Sequence, residues 1–234
     1  KPCVPTTLAA SGESIARANG QASKDVLLPS DNTVSSFWIT NPDNVYRDNV
    51  AAGSDSTGFW FSLPMHPQGQ FAGTEVSKTI WPRRTPVRAF RGNTSHSNFD
   101  GFMIDRHINE DNTFGTASIP LLPLKDPNDL ESEVLESHFE NLTSYKNRNG
   151  GLWGRGDMYV YSNAKFADNA IGMTQAAGDI GSLPFSARLV DSLVVGETEN
   201  IGNPRTPEEI AYGRSLPKPS IPDFPIRGYE YYDY

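Results

Sequence analysis

The chain has one cysteine and few histidines, so it lacks the residues from which disulfide frameworks and zinc sites are built. Cys3 is the only cysteine among 234 residues, which excludes an internal disulfide. The four histidines show no spacing typical of a metalloprotease or a zinc finger. No apolar run approaches the ~20 residues needed to cross a bilayer. Because the first residues do not resemble a secretory signal, we expect a processed product or a segment of a larger protein.

Positive charge is also scarce. Twenty Lys and Arg residues against 28 Asp and Glu give a net charge of −8, whereas a general nucleic-acid binder needs a broad basic surface. An anionic ligand would therefore have to meet a local basic patch. The densest cationic cluster contains Arg83, Arg84, Arg88 and Arg91. We interpret it as a solvated loop or, alternatively, a ligand groove.

A short sequence motif recurs along the chain. Each copy begins with an aromatic or aliphatic residue, passes through Asn or a small residue and a polar turn, and ends in Gly followed by an apolar run. The copies are YRDNVAAGSDSTGFWF, FRGNTSHSNFDGFMID, HFENLTSYKNRNGGLW, YSNAKFADNAIGMTQ and a weaker LVDSLVVGETENIG. One copy is too short to bury an apolar face alone, so copies must stack to form a core. The sequence predicts an all-β solenoid, specifically a parallel β-helix.

The domain boundaries follow the repeat. Residues 1–33 lack periodicity and are predicted to form an irregular arm, and residues 34–234 are predicted to form the β-helix. Stretches rich in Pro and Gly, at 64–87 and from Asp105 to about residue 134, are predicted to leave the coil as loops. Within the second loop, Asp129–Glu136 is a candidate short helix. Open ends of a β-helix leave strand edges unpaired, so flanking segments or other chains are expected there.

Stacked turns lie about 4.8 Å apart, so equivalent residues form columns. Four residues that follow the repeat glycines are predicted to fill the core: Phe59, Phe102, Leu152 and Met173. Asn49, Asn93 and Asn141 are predicted to form an inward amide ladder. Asn93-Thr94-Ser95 and Asn141-Leu142-Thr143 are also N-glycosylation sequons, which need an exposed Asn. Because the ladder faces inward, we favour the structural role over glycosylation at Asn93 and Asn141.

Candidate catalytic groups are predicted to meet where the repeats end. Aligning the glycines gives one column of Ser62, Asp105, Arg155 and either Gln175 or Ala176. Asp105-Arg106-His107 and Arg155-Gly156-Asp157 would then lie on nearby turns. Asp105, Asp157 and His107 are the candidate catalytic groups, and Arg106 and Arg155 are candidate substrate ligands. A glycosidase needs two carboxyl groups ~5 Å or ~6.5–9.5 Å apart. A structural ion pair at the edge of the coil is the simpler alternative.

Two further ligand sites can be proposed from residue type. Trp81, beside Arg83 and Arg84, is the candidate for stacking on a sugar ring, with the two arginines as substrate-binding groups. The other three tryptophans lie in strands and are expected to pack into the core: Trp38, Trp60 and Trp153. Asp43, Asp48 and Asp55 offer oxygen ligands for calcium but show no EF-hand spacing. Calcium is the one cofactor that these residues suggest.

Seven blocks resemble, in the same order, the central region of the family formed by CEMIP and the transmembrane cell-surface hyaluronidase. They are FWITNPDN, NVAAGSDSTGFWF, NTSHSNFDGFMID, HFENLTSYKNRNGGLWGRGD, FADNAIGMTQAAG, SLVVGETENIG and FPIRGYEYYD. The resemblance covers about residues 33–234, and fibrocystin-L is similar over the first half. It implies a right-handed parallel β-helix within a large extracellular or cell-surface protein that binds and depolymerises hyaluronan.

The resemblance has limits. Members of the family carry a second cysteine before the FW strand, where this chain has Asp31. They are also far longer, and no catalytic residue carries over to this chain by motif. Two other functions therefore stay open: a non-catalytic structural or adhesive segment, and a calcium-dependent polysaccharide lyase.

Overall fold

The computed structural model describes residues 35–54, 56–108, 114–115, 121–178, 187–200 and 226–232. The predicted arm at 1–33, with Cys3, lies outside these residues, as does Asp55. The described chain is a right-handed parallel β-helix, so the predicted fold class is confirmed. Successive turns advance by 44, 49, 22 and 28 residues.

Each turn contributes one strand to each of three parallel sheets. Sheet A contains β1 (Ser35–Ile39), β4 (Thr57–Phe61), β7 (Asp100–Ile104), β12 (Gly150–Arg155), β15 (Ile171–Ala176) and β18 (Arg227–Tyr232). Sheet B contains β2 (Val45–Arg47), β5 (Ala89–Arg91), β10 (Ser137–Glu140), β13 (Tyr159–Ser162) and β16 (Arg188–Val190). Sheet C contains β3 (Val50–Ala52), β6 (Thr94–His96), β11 (Thr143–Tyr145), β14 (Lys165–Ala167) and β17 (Leu193–Val194). A small antiparallel pair, β8 (His107–Ile108) and β9 (Phe114–Gly115), lies outside the coil.

The core is a stack of aromatic and aliphatic side chains inside the coil. Phe59, Phe102, Leu152 and Met173 are in register on adjacent strands and almost fully buried, which confirms the predicted apolar column. Phe90 and Phe139 meet them from sheet B, mostly edge to face. Each buried side chain of this size contributes about 1.5–3 kcal/mol.

A glycine column explains why Gly ends every repeat. A Cβ on Gly101 would lie 2.5 Å from the Gly151 carbonyl oxygen and 2.8 Å from Asn147 Nδ2. Gly58 and Gly151 likewise each face a glycine carbonyl and an asparagine amide of the next turn. Only glycine allows the strand to approach the next turn this closely.

The main amide ladder is not the predicted one. Asn98 Nδ2 donates to Asn147 Oδ1 at 3.2 Å, and Asn147 Nδ2 donates to Asn169 Oδ1 at 2.9 Å. The predicted ladder is right for Asn49 and Asn93, where Asn49 Nδ2 donates to Asn93 Oδ1 at 3.1 Å.

The placement of Asn141 in that predicted ladder is wrong. Arg91 pairs with Glu140, so Asn141 is level with Gly92, one residue before the ladder position. Both residues have positive φ, 54° for Asn141 and 69° for Gly92. The ladder position on this turn belongs to Leu142, which is buried. The corner between sheets B and C thus uses a left-handed residue followed by an inward one, and Asn at 141 serves the first role.

The expectation that three tryptophans pack into the core is confirmed for Trp60, which is 1% exposed in a second apolar cluster, but wrong for Trp38. Side chains alternate across a strand, so Trp60 lies on the opposite face of sheet A from Phe59 and Phe61. Trp38 stacks on Trp60 at 5.7 Å and is 44% exposed. Trp153 belongs to the same outer column.

The two predicted excursions leave the coil between sheet A and sheet B. The first contains three short 3₁₀ turns: Gly69–Phe71, Ser77–Thr79 and Pro82–Arg84. The second contains an antiparallel bridge between Leu124 and Val134. Asp129–Glu136 forms turns instead of the predicted helix: the Asp129 carbonyl accepts from the Ser132 N–H, the Glu133 carbonyl accepts from the Lys125 N–H, and Val134 forms a bridge with Leu124.

Candidate functional site

Asp105 lies where the glycine alignment predicts, in one column with Ser62, Arg155 and Ala176; Ala176 rather than Gln175 completes it. Arg155 Nε donates to Asp105 Oδ2 at 2.9 Å, and Trp153 Nε1 donates to the same oxygen at 2.9 Å. The Asp105 side chain is 1% exposed and that of Arg155 is 13% exposed. A carboxylate this enclosed is not accessible to a polysaccharide, so the geometry matches the structural ion pair.

Of the other predicted catalytic groups, Asp157 bonds to the backbone and His107 lies in a short strand. Asp157 is 6% exposed, and its Oδ1 accepts a hydrogen bond from the Gly178 N–H at 2.8 Å. His107 opens β8 opposite Gly115, and Arg106 before it has a positive φ of 63°. The structure brings Asp105 together with Arg155. The catalytic roles of Asp105, Asp157 and His107 stay predictions, and so does substrate binding by Arg106 and Arg155.

Trp81, the predicted sugar platform, is covered by its own neighbours. The His66 ring centroid lies 3.8 Å from that of Trp81, and the Arg84 guanidinium carbon lies 3.7 Å from it. Trp81 Nε1 donates to Asn128 Oδ1 at 3.0 Å. A sugar ring would therefore compete with His66 and Arg84 for contact with Trp81.

Arg83 and Arg84 join the two excursions. Their backbone carbonyls accept hydrogen bonds from the N–H groups of Leu122 and Leu124, at 2.9 and 2.8 Å. Arg83 Nε donates to the Leu63 carbonyl at 3.0 Å, and burial lowers the pKa of Arg83. These contacts give both arginines a structural role, while substrate binding by them stays a prediction.

A different set of arginines faces solvent on the outer side of sheet B. We call Arg47, Arg88 and Arg91 the arginine patch. Arg47 and Arg91 are directly opposite each other on β2 and β5, and both are exposed. The patch borders a surface cavity of about 300 Å³, which His138 and Glu140 also line.

The charges within the arginine patch are unequally compensated. Arg88 makes two hydrogen bonds to the Asp43 carboxylate, at 2.7 and 3.0 Å, which raises the pKa of Arg88 and lowers that of Asp43. Arg91 lies 3.8 Å from Glu140 with both side chains well exposed. Within the described part of the chain, no ion pair involves Arg47. The patch therefore offers at least one guanidinium group to an external anion.

Sequence reasoning overlooked Arg47, although a signal was present. Arg is the second residue of both YRDN and FRGN, so the repeat itself places Arg47 and Arg91 in one column. The prediction had grouped arginines by their distance along the chain. In a β-helix, position within the turn decides which residues are neighbours.

Of the three acidic residues proposed as calcium ligands, Asp43 and Asp48 lie among the described residues, and calcium binding stays a prediction. Both oxygens of Asp43 bond to Arg88, which leaves the carboxylate engaged with a cation already. Asp48 has a positive φ of 55° and lies over Gly92 at the corner of the neighbouring turn. In the described residues, no group of three or more His, Cys, Asp or Glu side chains is placed to hold a metal ion.

The fold and sequence place the chain among known proteins. A family described as the CEMIP beta-helix matches residues 3–103. The chain belongs to the CEMIP β-helix family. It is 33% identical, over 86% of its length, to both the mouse cell migration-inducing and hyaluronan-binding protein and the human cell surface hyaluronidase CEMIP2. Human fibrocystin-L is 27% identical over 61% of the chain, which confirms the more distant resemblance.

The chain spans only a small part of these relatives. It covers 16% of the length of each of the first two and 3% of fibrocystin-L. None of the helices in the described residues has the length and apolar character that a membrane crossing requires.

Proposed function

We propose that this CEMIP β-helix binds hyaluronan or a closely related uronate-containing polysaccharide outside the cell. Its relatives are named as a hyaluronan-binding protein and a cell surface hyaluronidase, which supports this ligand class and an extracellular or cell-surface location. The arginine patch supplies the contact surface. Guanidinium groups bind carboxylates in a bidentate geometry, as a uronate would require.

The pairing of Arg47 with Arg91 is the observation that carries the proposal. Like charges directly opposite each other on adjacent strands destabilise a sheet. In a chain of net charge −8, a column with two exposed arginines is not needed for general solubility. A polyanion lying across the strands would relieve the repulsion and gain two charge-assisted hydrogen bonds.

Binding without cleavage is the role that the described residues support. Asp105, one of the predicted catalytic carboxylates, is enclosed by Arg155 and Trp153. Hyaluronan depolymerisation, as the relative's name hyaluronidase suggests, would then need groups outside these residues. A calcium-dependent lyase gains no support from the Asp43 and Asp48 geometry.

A structural or adhesive role is the second candidate. The continuous ladder of Asn98, Asn147 and Asn169 and the aromatic core form a stiff rod, which would present flanking segments without any ligand of its own. This role predicts no dependence of polysaccharide binding on the arginine patch.

The test is binding of size-defined hyaluronan by surface plasmon resonance at about 50 and 200 mM NaCl. We expect measurable affinity at low salt, weakened by salt, and a roughly tenfold or greater loss in the Arg47→Ala, Arg91→Ala double variant. Lys165→Ala and Arg227→Ala, exposed cations on other sheets, are the matched controls and should bind like the parent. Binding unchanged in the double variant, or absent in the parent, would reject the proposal.

A parallel measurement addresses cleavage. High-mass hyaluronan incubated with the chain should keep its size on an agarose gel, with no unsaturated product absorbing in the ultraviolet. Shortened polymer would show catalytic groups in this chain, and an ultraviolet-absorbing product would identify a lyase.

A further inference from the structure

The two sequons of the chain place their asparagines differently: Asn93 lies inside the coil and Asn141 lies at its surface. In Asn93-Thr94-Ser95, Asn93 and Ser95 are both fully buried and only Thr94 points outward. In Asn141-Leu142-Thr143 the order is reversed: Leu142 is buried, and the two flanking residues are partly exposed.

In the inward sequon, the polar side-chain atoms of Asn93 and Ser95 are already hydrogen-bonded within the coil. Asn93 Oδ1 accepts hydrogen bonds from Asn49, and its Nδ2 donates to the Tyr46 carbonyl at 3.0 Å. Ser95 Oγ donates to the Gly101 carbonyl at 2.7 Å. A glycan on Asn93 Nδ2 would break the ladder and would have to pass through the wall of the coil.

The outward sequon is open to solvent. Asn141 and Thr143 line the same surface cavity of about 400 Å³ at the corner between sheets B and C. Among the described residues, none of the side-chain hydrogen bonds involves the Asn141 amide. The positive φ of 54° at Asn141 marks a tight corner, where a side chain projects away from the core.

We propose that Asn141 is an acceptor of asparagine-linked oligosaccharide and that Asn93 is not. Transfer joins Asn141 Nδ2 to the anomeric carbon of an oligosaccharide carried on polyprenyl diphosphate. The N–C bond forms as the C–O bond to the diphosphate breaks, polyprenyl diphosphate leaves, and the amide gives one proton to the transferase. The inference requires passage through the secretory pathway and does not depend on hyaluronan binding.

The next turn supplies a matched control. Asn163 occupies the same corner position as Asn141, with a φ of 53°, and Lys165 is in register with Thr143. Asn163-Ala164-Lys165 lacks only the hydroxyl residue of a sequon, and Ala164 is buried as Leu142 is. Lys165→Thr therefore completes a sequon of the outward phase on a neighbouring turn.

The experiment is site-resolved mass spectrometry of the full chain secreted from a eukaryotic host, with peptide N-glycosidase treatment in ¹⁸O water. We expect ¹⁸O-labelled aspartate at position 141, unmodified Asn93, loss of the glycan in Thr143→Ala, and an added glycan at Asn163 in Lys165→Thr. Thr143→Ala keeps Asn141 itself at the corner, so it separates the sequon from the fold. An unmodified Asn141 in the secreted parent, or a glycan on Asn93, would overturn the proposal.

Discussion

At the scale of single residues, the glycine that ends each repeat is defined by what lies beside it. Gly101 has the Gly151 carbonyl and Asn147 Nδ2 where a Cβ would be. Neither neighbour can retreat, because one is backbone and the other belongs to the amide ladder. Substitution here forces the turns apart.

Gly101→Ala is expected to lower the free energy of unfolding by about 3 kcal/mol or more, the upper part of the range for overpacking. Gly196→Ala is the matched control, because its Cβ would meet only Ile226 Cγ2 at 3.9 Å. Urea midpoints by circular dichroism measure both. Equal midpoints for the two variants would contradict the close-approach account.

Asp105 is expected to matter for stability more than any surface carboxylate. Asp105→Asn leaves the Arg155 charge enclosed without its partner, which should cost about 3–5 kcal/mol. Asp43→Asn breaks an exposed pair with Arg88 and should cost about 0–1 kcal/mol. Denaturant unfolding distinguishes the two. A cost for Asp105→Asn as small as for Asp43→Asn would mean that Arg155 relaxes into solvent.

Tyr161 gives the fold an alkaline limit. Burial raises the pKa of Tyr161 well above its ordinary value, and nearby Tyr159 adds to the rise. A raised folded pKa gives stability that is complete below the unfolded value of about 10 and is lost as pH rises through the folded value. Tyr161→Phe keeps the ring that stacks on Phe139 at 5.3 Å. Its alkaline loss of stability should begin at higher pH than in the parent, and coincident curves would argue against this origin.

Residue type predicted the register of the strands correctly at positions where the geometry allows only one type of residue. Gly has no substitute at the close approach, so aligning on Gly placed Phe59, Phe102 and Leu152 correctly. The corner position accepts Asp, Gly or Asn, since each tolerates a positive φ. Asn141 was therefore matched by type with Asn93, although it is one residue earlier in the turn.

At the scale of elements, the ladder of Asn98, Asn147 and Asn169 ties one corner of each turn to the next. The side-chain oxygens of Asn147 and Asn169 each accept from both the backbone N–H and the side-chain amide of the Asn on the preceding turn, and that of Asn98 accepts from the Ser54 N–H. Chains of buried hydrogen bonds are costly to interrupt, because the remaining partners stay unsatisfied.

Asn147→Ala is expected to cost about 2–5 kcal/mol, since it removes the acceptor of the buried Asn98 N–H and the side-chain donor to Asn169 Oδ1. Asn49→Ala removes a part-buried donor at the end of the other ladder and should cost about 1 kcal/mol. Thermal melts compare the variants. Similar losses of stability in the two variants would show that the central ladder contributes no more to stability than the ladder of Asn49 and Asn93.

The excursions were predictable as loops but not as a packed unit. Pro and Gly mark their extent in the sequence. The contact of Trp81 with Arg84 and Asn128 joins residues 47 positions apart at the farthest. Such a contact depends on where the coil places both loops, so it cannot be predicted from the local sequence of either loop.

At the scale of the whole molecule, each described strand of the coil pairs only with strands of the adjacent turns. In this arrangement stability is a sum of turn and interface terms, with the ends weakest. β12 has hydrogen-bonded partners on both sides, β7 and β15, whereas β1 pairs with β4 alone within the described residues.

Amide hydrogen exchange should follow this order. Mass spectrometry after exchange is expected to show the strongest protection in β7 and β12 and the weakest in β1, because inner strands open only with their neighbours. Equal protection of β1 and β12 would indicate a single cooperative unit, or an additional partner on β1.

The corner between sheets B and C keeps a constant two residues on each turn, while the exit from sheet A accommodates loops of very different length. Through β17 the added length thus lies on one side of the coil, whereas the connection from β17 in sheet C to β18 in sheet A is also long. A peptide tag inserted near Gly73 would only enlarge a loop. A single residue inserted beside Asn141 would instead turn every following side chain of that strand to the opposite face, so that buried and solvent-exposed residues would change places.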